Sequence, residues 1–90
     1  MELKETIEMM NSNDYKERFK AEYHQTKIRY EKLKKFNTRI EAAKEMIYEG
    51  KKADMPKHDC PDHLLVDQQN AMGHYLHFLE VRAEIEGIEL

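Results

Sequence analysis

Ninety residues, 40% hydrophobic and 37% charged, make one small domain: too apolar for a disordered chain, too polar for a membrane span, and thin enough in core to favour self-association. No run approaches the roughly 20 apolar residues that cross a bilayer, the acidic start MELKETIEMM lacks the apolar stretch of a secretory leader, and a lone cysteine, Cys60, excludes an internal disulfide and suits a reducing cytosol. The net charge of −3 hides a division, because residues 14–44 hold ten Lys/Arg against five Asp/Glu, whereas residues 59–90 hold Arg82 alone against seven acidic side chains.

Residues 2–10 space Leu3, Ile7 and Met10 as a short amphipathic helix, interrupted by Asn11-Ser12-Asn13. Asp14 with Glu17 has the form of a capping box. From there Phe19, Tyr23, Thr26, Tyr30, Leu33, Ile40 and Ile47 recur at near-heptad spacing and predict one long amphipathic helix over about 14–49. Its 36 residues would run roughly 54 Å. Asn37 and Lys44 occupy stripe positions that ought to be apolar, and Asn37-Thr38, both poor helix formers, mark a possible break with Thr38 and Glu41 as a second capping box. Continuity is favoured because the stripe keeps phase.

Gly50 is the natural end of that helix, residues 50–60 read as a loop, and Pro61 suits the first turn of the next helix, capped by Cys60 or Asp59. The second helix, about 61–86, lines one face with Leu65, Met72, Leu76, Leu79 and Ala83 and a neighbouring face with Phe78, Val81, Ile85 and Ile88. That arc is wider than one antiparallel partner covers. The expected fold is therefore all-α: a short N-terminal helix plus a long antiparallel helical hairpin, assembled as a homo-oligomeric bundle. The acidic second helix is expected to offset much of the basic first one, and, being shorter, to leave the first turns of the long helix uncovered.

No catalytic constellation stands out. His58, Cys60 and His63 cluster, and His74 and His77 are one turn apart, but no spacing completes a four-ligand zinc set, and polar surface residues explain them as well. Glu80, Glu84 and Glu86 read as a solvated face rather than an acid–base pair, and Cys60 as a cap rather than a nucleophile. Neither enzyme activity nor a cofactor is expected. Tyr15, Lys16, Arg18, Lys20, Tyr23, Lys27, Arg29 and Tyr30 interleave cations with aromatic rings, a mixture that suits a nucleotide. For Tyr23 and Tyr30, core packing competes with ligand stacking and is favoured, whereas Tyr15, Arg18 and Lys27 sit at the edges of the stripe. Duplex DNA is an unattractive partner for an acidic protein without a short recognition helix.

Two stretches, DYKERFKAEYHQTKIRYEKLKKF (14–36) and CPDHLLVDQQNAMGHYLHFLEVRAEIEGIEL (60–90), together 54 residues, resemble a family of small phage and prophage proteins related to a crAss-like phage protein. Tyr15-Lys16 and the segment Asp67-Gln68-Gln69 with Met72 also resemble parts of the helical-hairpin sponges that phages raise against CBASS and Thoeris immunity. The Arg-Trp pair before the second helix of those sponges, and their Gly-Phe before the Met, have no counterpart here. What the resemblance implies is a mode of action: an oligomer that sequesters a cyclic nucleotide between protomers without cleaving it, with Tyr15 and a cation of the first helix holding base and phosphate. It adds Gln69 to Tyr15, Lys16, Arg18, Tyr23 and Lys27 as candidate ligand residues. The alternatives are a helical inhibitor of a host defence protein, docking through the acidic second helix, or a structural coiled-coil adaptor.

Overall fold

The computed structural model describes residues 1–90. A 3-10 turn (Leu3–Glu5) leads into α1 (Thr6–Met10), followed by α2 (Tyr15–Tyr48) and α3 (Asp62–Glu86), with no strand. The 34 residues of α2 set the length of a rod measuring 55 × 25 × 19 Å. None of the helices is long and apolar enough to cross a membrane. The all-helical hairpin with its short leading helix is thus the architecture that the periodicity predicts.

Local chemistry sets the helix ends. Asp14 caps α2, its Oδ1 accepting from the Lys16 amide at 3.0 Å. Glu17 does not close the expected capping box. It pairs with Lys20 (3.6 Å), while the Asp14 amide is taken by Ser12 Oγ. At the far end Gly50 turns left-handed (φ 82°), and the Gly50 and Lys51 amides bond back to Ile47 and Met46. In α3, Pro61 itself is the cap residue instead of Cys60 or Asp59, and its carbonyl accepts from Leu64 and Leu65. Gly87 (φ 68°) ends α3 in the same left-handed way, with Ile88 donating to the Ala83 carbonyl at 2.9 Å. That turn corrects the place of Ile88. It leaves the outer face of the helix and folds back into the core beside Ala83.

α2 is unbroken through Asn37-Thr38. Thr38 Oγ1 back-bonds to the Lys34 carbonyl (2.8 Å), and buried Asn37 donates to the Leu65 carbonyl (3.1 Å) and Gln69 Oε1 (2.9 Å) of the opposite helix. Satisfied across the hairpin, a polar residue can hold a core position that its propensity disfavours. Lys44, the other irregular stripe position, stays at the surface and pairs with Asp62. The 49–61 loop is pinned where it rejoins α3. His58 Nε2 lies 2.8 Å from Asp62 Oδ1 and its ring meets Phe36 edge-on at 5.7 Å.

The core is one-sided. Phe19, Tyr23, Leu76, Leu79, Ala83 and Ile88 cluster near the N-terminal end of α2, with Tyr30 packed against them, and Ile40 and Ala43 are buried further along. α1 is anchored by Thr6, fully buried, whose hydroxyl donates to the Leu3 carbonyl (2.6 Å) and accepts from Gln25 Nε2 (2.8 Å). Opposed residues run from Lys44–Asp62 through Asn37–Gln69 and Tyr23–Glu80 to Tyr15–Glu86. This register overturns one expectation. α3 does cover the first turns of α2, and the overhang lies at the loop end, where Ile47 and Tyr48 are exposed.

Candidate functional site

The antiparallel register brings the C-terminal turns of α3 beside the N-terminal turns of α2, and α1 closes the third side. Between them lies a groove of about 420 Å³ lined by Met10, Tyr15, Arg18, Phe19, Glu22, Gln25 and Arg82. Arg82 is the lone cation of the acidic half, and its position is over-determined. Nη2 donates to Tyr15 Oη at 2.6 Å, Nε to Glu86 Oε2 at 3.3 Å, and the guanidinium lies 5.0 Å from the centre of the Phe19 ring. Tyr15 Oη in turn donates to Glu86 Oε1 (3.0 Å), and its ring is tilted against Phe19 at 6.1 Å. Across the groove Arg18 Nη1 donates to the Ser12 carbonyl at 2.8 Å, which holds a second guanidinium toward the same space.

One carboxylate and one amide complete the rim. Glu22 accepts from the Tyr75 hydroxyl, and Gln25 bridges Thr6 and the Met10 sulfur. Loss of water and the Glu86 acceptor raise the Tyr15 phenol above its ordinary value, with Arg82 pulling the other way, so Tyr15 remains a neutral donor. The Tyr75 phenol is raised too, chiefly by its bond to Glu22. Each hydroxyl is thereby held, while Tyr15 as a residue stays 45% exposed. The groove offers two cations and an aromatic face to a ligand carrying both phosphate and base.

The six residues singled out from sequence do not share one place. Tyr15 and Arg18 line this groove. Lys16, on the next position of the helix, is exposed and offers its backbone amide to Asp14. Tyr23 is a core residue. Its hydroxyl donates to Glu80 Oε2 (2.8 Å), and loss of water together with that carboxylate pushes the phenol up to about 12. Lys27 lies over the Tyr23 ring, 5.6 Å from its centre, beside a smaller cleft of about 190 Å³ that also includes Tyr30 and Glu80. Gln69 sits in the other half of the hairpin, bonded to Asn37, on a polar groove of about 440 Å³ with Lys34, Thr38 and Asn70. Sequence reasoning passed over Arg82, Glu86 and Glu22. A signal for the first two was present: one Arg in a helix otherwise acidic, with a Glu four residues later, marks a cation retained for a local purpose.

The six ion pairs leave the charge division largely in place. Lys44–Asp62 is the single pair between α2 and α3, and the other contacts with carboxylates across the hairpin are tyrosine hydroxyls. The acidic helix therefore does not neutralise the basic one, contrary to expectation, and Lys27, Arg29, Lys32 and Lys35 face water without a carboxylate partner. Searches among curated proteins and solved structures return no match. One family model does match, that of Sequestin, over residues 13–85, which takes in α2, the loop and nearly all of α3. The chain belongs to the Sequestin family.

Proposed function

We propose that this protein is a phage-encoded sponge: a homo-oligomer that binds and sequesters a cyclic-nucleotide immune signal without cleaving it. The family's name denotes sequestration and indicates a binding rather than a catalytic role. The observation that carries the nucleotide reading is the convergence of Arg18, Arg82 and the half-exposed Tyr15 ring on one groove. Magnitudes then argue for more than one chain. A charge-assisted hydrogen bond contributes about 1.5–3 kcal/mol, and stacking a base on an aromatic ring about 1–3 kcal/mol. Two guanidinium contacts and one stack thus supply about 4–9 kcal/mol before the cost of immobilising the ligand, estimated at 4 kcal/mol or more. Micromolar affinity already requires roughly 8 kcal/mol. A groove open on one side of one protomer falls short of sequestration, and enclosure between protomers supplies the remainder.

Calorimetry of the purified protein with a panel of cyclic dinucleotides, cyclic trinucleotides and cyclic ADP-ribose isomers tests the reading. Binding of at least one, with the nucleotide recovered intact after heat release, is the expected result. Absence of binding across the panel refutes it, and recovery of a hydrolysed product refutes the non-catalytic part.

A further inference from the structure

Tyr15, Arg18, Glu22 and Gln25 step by three, four and three along α2, so one helical stripe about 15 Å long forms that wall of the groove. Its chemistry changes along its length. At the N-terminal end, beside the Tyr15 ring, stand donors: a guanidinium carries five N–H groups, of which Arg18 commits one to Ser12 and Arg82 two to Tyr15 and Glu86. At the other end stand acceptors. Gln25 commits its Nε2 to Thr6 Oγ1 and the Met10 sulfur, which leaves its Oε1 without a donor from the protein. Glu22 accepts from the Tyr75 hydroxyl at Oε1, which orients the carboxylate, and nothing in the chain donates to Oε2. Arg18, four residues away, is the ordinary partner for such a carboxylate, but its guanidinium is turned to the Ser12 carbonyl, and no cation pairs with Glu22. Glu86 differs, because both of its oxygens are taken, by Tyr15 and Arg82.

We propose that the Glu22–Gln25 end of the groove reads a guanine, so that the ligand is a cyclic dinucleotide carrying at least one guanine base. The proposal rests on the nucleotide reading above and gives it a base identity. A carboxylate with a free oxygen in an anion-binding groove repels phosphate, and so lowers the affinity for any nucleotide that gives it no hydrogen bond in return. Guanine can give one. Of the common bases it alone presents two adjacent donors on one edge, N1–H and the 2-amino group. Adenine sets its 6-amino group beside the N1 acceptor, cytosine its 4-amino group beside N3, and uracil flanks a single N–H with two carbonyls. Against Glu22 Oε2 and Gln25 Oε1 each of these three brings a lone pair to an acceptor, whereas guanine satisfies both. A site whose polar groups are left unpaired by the wrong ligand discriminates strongly against it. The order along the stripe also selects a dinucleotide. Ring, cations and acceptors follow one another as base, phosphate and base do, with the first base on Tyr15, a phosphate at Arg18 and Arg82, and the second base at Glu22.

Calorimetry of wild type and Glu22→Gln with matched cyclic dinucleotides tests it. The ligands bear two guanines, one guanine and one adenine, two adenines, or two hypoxanthines, which keep N1–H and lack the 2-amino group. Both guanine-bearing ligands should bind wild type about 10- to 150-fold more tightly than the all-adenine one, as loss of a charge-assisted bond requires, with the hypoxanthine ligand between. Glu22→Gln keeps an acceptor for the Tyr75 hydroxyl, so the fold is retained, but it should weaken the guanine-bearing ligands about tenfold or more while the all-adenine ligand binds as before or more tightly. A carboxylate that only stands by gives the opposite sign: Glu22→Gln would then tighten every ligand, and that result overturns the proposal. An all-adenine ligand that binds wild type as tightly as the guanine-bearing ones overturns the base assignment and leaves the sequestering reading standing. Binding of none of the four overturns the proposal as well, and the wider panel of cyclic nucleotides then decides the sequestering reading separately.

Discussion

Removing the Arg82 guanidinium separates what it does for the fold from what it does for a ligand. Its side chain is about half exposed, so its structural contacts are modest: about 0.5–1 kcal/mol for the guanidinium over Phe19, about 0.3–0.5 kcal/mol for the i,i+4 pair with Glu86, and about 0.5–1.5 kcal/mol for the bond to Tyr15 Oη. Discounted for solvent, Arg82→Ala should cost about 1–2 kcal/mol. For a domain of this size each kcal/mol lowers Tm by about 4–8 °C, and a protein with ordinary stability of roughly 5 kcal/mol or more stays folded at 25 °C. Loss of a charge-assisted bond to phosphate costs about 1.5–3 kcal/mol, a decrease in affinity of about 10- to 150-fold. Arg82→Lys keeps the charge but not the planar fork, so its affinity should fall between wild type and Arg82→Ala. Calorimetry with whichever cyclic nucleotide binds wild type, beside thermal unfolding by circular dichroism, reads both effects. An Arg82→Ala protein that melts earlier but binds within twofold of wild type would show that Arg82 only braces Tyr15 and Phe19, and the groove would lose its claim to the ligand.

The other expectations are simpler. Glu86→Gln should keep the bond from Tyr15 while removing a negative charge beside the groove, so nucleotide affinity should rise about two- to fivefold; a fall would mean that Glu86 touches the ligand favourably. Leu79→Ala, at the largest fully buried side chain, should cost about 2–5 kcal/mol in urea unfolding, and a cost under 1 kcal/mol would contradict the core described above. Asn37→Ala should cost about 1–3 kcal/mol by leaving the Leu65 carbonyl and Gln69 without their partner, and a melting temperature at or above that of wild type would contradict it. The Lys44 ammonium holds the Asp62 carboxyl below its ordinary value of 3.8, with His58 adding a smaller pull. A depressed acid stabilises the fold above the unfolded value and loses that contribution as pH falls through the folded one. The difference in Tm between wild type and Lys44→Ala should therefore be full at neutral pH and shrink below about pH 4, and a difference constant down to pH 2 would refute the assignment.

The hairpin was readable because its signals are local. Heptad spacing from Phe19 to Ile40, an Asp at the start of α2 and a glycine after it each act within one or two turns. What escaped was whatever depends on residues far apart in the chain. Asn37 is an ambiguous break until Gln69 and the Leu65 carbonyl, about thirty residues away, are placed beside it. Helical spacing already sets Tyr23 on the core stripe and Tyr15 at its edge, but only the register shows that one meets Glu80 inside the core and the other meets Arg82 at its rim. Ile88 belongs by period to the outer face of α3, and a single left-handed Gly87 sends it inward.

The division of charge acquires a different meaning from this register. Were α3 there to neutralise α2, lysines and glutamates would face one another along the hairpin, and each such surface pair would be worth little. Instead the glutamates of α3 accept from tyrosine hydroxyls of α2, at Tyr15 and Tyr23, and Glu22 of α2 accepts from Tyr75. Hydrogen bonds of this kind fix rotamers and register without consuming any cation. Apart from Lys20 and Lys44, which pair with Glu17 and Asp62, the positive charge of α2 is thus left at the surface, and the one cation that α3 contributes is placed where it adds to that charge rather than opposing it. Tyrosines that satisfy the carboxylates leave most lysines and arginines of α2 facing water, and on the proposed reading the groove of Arg18 and Arg82 is where that charge meets an anion.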